Sequence, residues 1–295
     1  MASAEGARWD ISNSWGRLPL WWKFGNASDL ATDSQGRVFV LDRGTRPILV
    51  FDRDGGFISA WGEGLFRYPH GLYIDSQDFV YVADSHTHLV WKFTLDGKMV
   101  RTWGEKDFPS PTFNGMPFNQ PTGIAVGPSG CMYVSDGYGN TKVQKFAPDG
   151  TFLKSWGRSG TGPGEFSILH NLDVDEDERV YVCDRENSRV QIFDADGKYL
   201  TEWTDVVFPT DIVVRDGLVY VSEGGNYQKC MSSDRECQPG MSIFSRDGSV
   251  LSRWRNGEQG CESMIEAHGL TVDSEGDVYL AQVYWDTRVF KLSRR

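Results

Sequence analysis

The string GLYIDSQDFVYVADSHTHLVWKFTLDGKMVRTWG, residues 71–104, decides the fold. It divides into four apolar runs, GLYI, FVYVAD, LVWKFT and MVRTWG, separated by DSQD, SHTH and LDGK. Short runs rich in Val, Tyr, Phe and Trp, bounded by Asp, Ser and Gly, read as strands joined by tight turns. The same order returns in residues 29–62 (DLATDSQGRVFVLDRGTRPILVFDRDGGFISAWG), 123–157, 171–203 and 269–292. Split by an insertion, it returns again in residues 211–254. The copies recur at roughly forty to fifty residues, and four strands per copy make each one a propeller blade. The sequence therefore predicts an all-β, six-bladed β-propeller, a single domain over residues 1–295.

The sixth copy stops at FKLSRR without a fourth strand. LPLWWKFG, residues 18–25, resembles the missing ending. A strand near 18–25 is thus expected to pair with the last blade, 268–292, and close the ring, leaving no open sheet edge.

Composition narrows the function. The chain has 295 residues, 33 of them glycine, with 39% hydrophobic and 24% charged, an ordinary globular balance. A net charge of −11 argues against nucleic acid and anionic membrane surfaces, which need a basic face. No apolar run is long enough to span a bilayer, and the first residues lack a basic and then apolar leader, so a cytoplasmic location is expected. Five cysteines imply no full disulfide framework. Cys131 and Cys183 sit in strand patterns as small buried hydrophobes, while Cys230 and Cys237 flank a polar insertion they could bridge in an oxidising compartment. One closed propeller can stand alone, as a monomer or weak oligomer.

Aligning the copies on the residue before the inner strand gives Ser28, His70, Thr122, His170, Thr210 and His268. Equivalent positions are related by rotation about the central channel. Three of the five histidines thus fall on one position in strict alternation; His86 and His88 fall in a blade-two turn and read as solvent-side residues. A lone histidine in a loop is usually a simple hydrogen-bonding residue, but three at this spacing converge on the axis. Three imidazoles with an open fourth position make a catalytic zinc arrangement, although other divalent metals also suit nitrogen ligands.

A second ring follows the VYV-Asp strand, where Arg43, Tyr138 and Arg185 come after Asp42 or its equivalents. Alone, each arginine reads as an ion pair with a neighbouring aspartate and Tyr138 as a packed turn aromatic. Beside a three-His centre, the arginines can hold a carboxylate bidentately and the tyrosine can act as base.

PHGLYID around His70, SDGYGNTKVQKF around Tyr138, FSILHNLDVD with CDRENSRVQIF, and AHGLTVDSEGDVYL around His268 resemble the peptidyl-α-hydroxyglycine α-amidating lyases. The resemblance implies a six-bladed propeller with a central zinc held by His70, His170 and His268. It implies Tyr138 as base and Arg185 and Arg43 as active-site arginines that bias the tyrosine towards phenolate. The implied reaction cleaves a carbinolamide, N–CH(OH)–COO⁻, into an amide and glyoxylate. The family's aspartate after the third histidine, tied to a structural calcium, is Gly269, so the resemblance does not carry calcium over. The family's Met-Pro before that histidine is Glu266-Ala267, and the cysteine of its DGYCN string is Gly139. Three functions are in play. The first is a zinc-dependent lyase or hydrolase acting on a C–N bond of a small substrate that carries a carboxylate or carbonyl. The second is a metal-dependent lactonase or cyclic amide hydrolase, and the third is a non-enzymatic NHL-type scaffold.

Overall fold

The computed structural model describes residues 9–111, 118–225, 228–229, 232, 238–257 and 264–294. The VYV-type strings form the second strand of each blade, and Val38–Asp42, Met132–Asp136, Val180–Asp184 and Val278–Gln282 are buried along their whole length. Both faces of such a strand are covered by neighbouring blades, which is why it reads as continuous rather than alternating hydrophobicity. The fourth strands, such as Met99–Gly104, lie outermost and are largely exposed, so they carry Lys, Arg and Thr.

Six four-stranded antiparallel sheets result. In sequence order they run over residues 27–61, 69–104, 123–156, 169–203, 211–255 and 267–294, the last completed from the N-terminal end. Each blade packs on the next through an apolar cluster shared by the pair, as where Phe39 and Val50 of blade one meet Val80 and Phe93 of blade two. The Trp-Gly ending and the Asp-Gly turn are two halves of one device. A Cβ added to Gly97 would lie 2.7 Å from the ring of Trp61, and one on Gly197 would lie 2.5 Å from Trp156. The indole closing one blade thus sits in a hole that the next blade's turn glycine keeps open. Both glycines also have φ near +80° (85° and 77°), a conformation that side chains resist.

The ring closes through Trp9–Trp15, not through residues 18–25. This strand runs antiparallel to Arg288–Arg294, with Trp9 opposite Arg294, Ile11 opposite Leu292 and Trp15 opposite Val289. Trp15-Gly16 is the Trp-Gly ending that the last blade lacks. Its indole packs on Phe51 and Tyr279 at 5.2 and 5.1 Å between centroids and donates from Nε1 to the Arg53 carbonyl at 3.0 Å. Residues 18–25 instead lead up to blade one, where Leu18, Trp22 and Phe24 pack on its cluster. Cys183 is buried and Cys131 half-buried, whereas Cys230 and Cys237 lie outside the described residues.

Replacing Trp15 removes the indole that joins blades six and one. Trp15→Ala is expected to lower stability by about 3–5 kcal/mol, the usual cost of deleting a buried aromatic. Urea unfolding followed by tryptophan fluorescence checks this; an unchanged midpoint would show that this strand does not hold the ring.

Candidate metal centre

The six aligned positions form a closed hydrogen-bonded ring about the axis. Ser28 Oγ donates to the Pro69 carbonyl at 3.3 Å, and His70 Nδ1 meets the Thr122 carbonyl at 2.8 Å. Thr122 Oγ1 donates to the Leu169 carbonyl at 3.0 Å, and His170 Nδ1 meets the Thr210 carbonyl at 2.7 Å. Thr210 Oγ1 donates to the Ala267 carbonyl at 3.2 Å, and His268 Nδ1 returns to the Ser28 carbonyl at 2.7 Å. Each side chain therefore reaches the next blade, and the alternation of hydroxyl and imidazole runs round the whole circle.

A carbonyl oxygen can only accept, so each Nδ1 carries the proton and each Nε2 keeps its lone pair. The three rings lie 4.7, 5.0 and 4.7 Å apart between centroids, and one ligand atom from each falls within 4.8 Å of the others. All three are buried, and burial pushes each imidazole well below the ordinary histidine value. The Tyr138 hydroxyl sits 2.8 Å from His70 Nε2 and 3.1 Å from His170 Nε2. It has one proton to offer two lone pairs. The centre is therefore rich in electron pairs and short of protons, the donor set a cation satisfies, with its outer nitrogens already oriented by carbonyls.

The loops that carry these residues are fixed by a second six-fold pattern. The residue ending each second strand accepts from the backbone N–H three positions before the axial residue. Asp42 takes Gly25 N, Asp84 takes Arg67 N, Asp136 takes Asn119 N and Asp184 takes Ser167 N, all at 2.7–2.9 Å. Glu223 takes Val207 N and Gln282 takes Ile265 N, at 2.7 and 2.8 Å. The aspartates after VYV are thus buried loop anchors. Arg43 and Arg185 accordingly turn elsewhere than to them. Arg43 Nε donates to the Pro69 carbonyl at 3.1 Å, its guanidinium lies 4.1 Å over the Tyr68 ring, and its Nη1 is buried without a partner among the described residues. Arg185 pairs with Glu186 at 3.1 Å and lies 5.9 Å from the Tyr138 ring.

Both guanidiniums favour ionisation of Tyr138, but burial is the larger influence and leaves its hydroxyl above the ordinary value. The expected bias towards phenolate is therefore outweighed in this arrangement, because a buried phenolate loses its hydration. His86 is exposed and stacks on Tyr68 at 4.6 Å; His88 is half-buried and accepts from Gln120 N at 3.2 Å. A cavity of ≈ 470 Å³ opens beside Tyr138 between Asn119, Gln120, Thr141, Ser159 and Ser167. A larger one of ≈ 810 Å³ is lined by the inner strands, and Asp29 and Asp211 belong to its wall. Burial raises both of those carboxyls, Asp29 to about 7. The sequence reading missed Tyr68 and the Asp29–Asp211 layer. Tyr68, two residues before His70, had a positional signal; the aspartates, directly after axial residues in two blades, had a weaker one.

The chain matches a family model described as a 6-bladed beta-propeller over residues 112–295 and an NHL-repeat model over residues 66–93. It is similar to the peptidylglycine alpha-amidating monooxygenase of Rattus norvegicus, 30% identical over 251 residues covering 81% of this chain and 25% of that protein. The chain thus spans about a quarter of the length of that relative. It is also similar to a Caenorhabditis elegans protein named "Probable peptidyl-alpha-hydroxyglycine alpha-amidating lyase", 28% identical over 282 residues, 92% of this chain and 78% of that one. A solved gluconolactonase from Xanthomonas campestris superposes with a TM-score of 0.69 at 15% identity, over 100% of this chain and 92% of that chain, a likeness of fold.

Thr210→Val keeps the shape of the side chain and removes the hydroxyl that donates to the buried Ala267 carbonyl, while Ser222 Oγ keeps its bonds to Asp211 N and the His268 carbonyl. The expected loss is about 1–3 kcal/mol, the cost of stranding buried polar groups. Chemical denaturation of this variant checks it, and a loss below measurement error would remove the ring's structural role.

Proposed function

We propose, from the premise that the chain belongs to the 6-bladed β-propeller family, that it is a zinc-dependent lyase cleaving the C–N bond of a carboxylate-bearing carbinolamide. One observation carries this reading: three neutral imidazoles present Nε2 to a single buried point, with the Tyr138 hydroxyl in contact and an unpartnered Arg43 nitrogen nearby. Relatives named for peptide amidation support it.

His70, His170 and His268 would hold the metal through Nε2. Bound there, zinc supplies a Lewis acid able to polarise a substrate oxygen. Arg43 binds the substrate carboxylate through its free Nη1. Arg185, whose charge is partly met by Glu186, faces Tyr138 and lowers the cost of ionising it. Tyr138 acts as base once its own proton has left to solvent, an ionisation that the two guanidiniums favour and burial opposes, and it then takes the proton of the carbinol hydroxyl. The O–H electron pair becomes the C=O of glyoxylate, the C–N pair leaves on nitrogen, and the proton returns from Tyr138 to that nitrogen as the amide forms. General acid–base help of this kind is worth roughly 10²–10⁴ in rate. Position 269 offers calcium no side-chain ligand: a Cβ at Gly269 would lie 2.5 Å from Asp29 Cα and 2.7 Å from the Ser28 carbonyl.

Elemental analysis of tag-free protein is expected to find about one zinc per chain in the wild type and none in folded His170→Ala. Wild type without zinc, after zinc is supplied and the excess removed, would overturn the reading in favour of a scaffold. Tyr138→Phe is expected to keep its zinc and lose about 10²–10⁴ in kcat for glyoxylate release from an N-acyl-hydroxyglycine. Opening of lactones with no glyoxylate from carbinolamides would replace the lyase with a hydrolase.

A further inference from the structure

The two arginines near the three-His centre are oriented by different physics. Arg185 is held by a carboxylate, Glu186, which fixes the guanidinium and also offsets its charge. Arg43 has no such carboxylate partner among the described residues. Its Nε is spoken for by the Pro69 carbonyl, an oxygen that also accepts Ser28 Oγ and so belongs to the axial ring. The rest of the guanidinium is held by a face: it lies 4.1 Å from the Tyr68 ring centroid. The His86 imidazole also stacks on Tyr68, 4.6 Å away and tilted by 21°. The Tyr68 hydroxyl meets the Tyr284 hydroxyl at 3.4 Å. Stacking orients a cation without neutralising it, whereas an ion pair does both. Arg43 Nη1 is accordingly buried and has no partner among the described residues.

We propose that Tyr68 is a positioning residue, its ring steadied by His86 and packed on Arg43 so that Arg43 stays aimed at the three-His centre with its full charge available to the substrate carboxylate. This rests on the lyase reading for the identity of the anion. The column explains two residues that the chemistry itself leaves unused, Tyr68 and the exposed His86. It also assigns the two arginines separate tasks. The stacked one meets the substrate anion, and the ion-paired one serves the tyrosine.

The test is a double-mutant cycle on the equilibrium binding of glyoxylate, the acid the proposed cleavage releases, to zinc-loaded protein by calorimetry. Tyr68→Leu is expected to weaken binding about tenfold, while Tyr68→Phe, which keeps the face, stays within about twofold of wild type. In an Arg43→Met background, Tyr68→Leu is expected to have no further effect, because the group it positions is gone. A merely structural or directly binding Tyr68 would weaken binding equally in both backgrounds, and that result overturns the proposal. If Tyr68→Leu does not fold, His86→Ala carries the same comparison from the exposed side, with a loss of about threefold that must vanish in Arg43→Met. Wild type that binds no glyoxylate and releases none from a carbinolamide overturns the lyase reading as well; binding with an additive cycle overturns only the role of Tyr68.

Discussion

Six hydrogen bonds about the axis, alternately from a hydroxyl and from an imidazole Nδ1, are the constraint on which fold and site both depend. A propeller has no central core of its own; its inner strands meet round a channel, and at the level of the buried axial residues the backbone carbonyls are shut away from water. Those carbonyls need donors from the adjacent blade. A Ser or Thr supplies one donor and is then exhausted. A histidine supplies one donor and has a second nitrogen left over. Placing histidine in alternate blades therefore closes the ring and delivers three spare lone pairs to the axis in the same act.

Burial then sets the charge states. The imidazoles are driven neutral because a buried cation with no counter-charge is costly, and three of them together would repel one another as well. The same burial raises Asp29 and Asp211 below them, where backbone amides of Leu72 and Leu270 bind the carboxyls across blade boundaries. At Tyr138 burial opposes two guanidiniums and outweighs them. A buried centre with three inward lone pairs and few protons offers a cation its donor set for reasons that precede any particular reaction.

The rim obeys a separate rule. Asp42, Asp84, Asp136, Asp184, Glu223 and Gln282 each capture the incoming loop by a backbone N–H, so the residues before the axial position are held as firmly as the strands. Tyr68, fixed in this way by the N–H accepted at Asp84, can serve as a rigid surface on which Arg43 rests. Arginine reach and tyrosine rigidity meet there without any covalent or ionic link.

The sequence by itself determined the blade, the number of blades and the axial register, since each is written in local strand and turn chemistry repeated six times. It also determined that His70, His170 and His268 are equivalent, because rotation about the axis maps one onto the next. It could not choose the closing strand. LPLWWKFG and SNSWG both end in aromatic residues and glycine, and only the hole beside Gly55, which Trp15 fills, decides between them. Nor could it say that the aspartates after VYV anchor loops, that Arg43 lies on Tyr68, or that Tyr138 spans two histidines. The anchors span 16 or 17 residues within a blade, and the other contacts join neighbouring blades at angles set by the stacking of the sheets, so no strand or turn pattern encodes them.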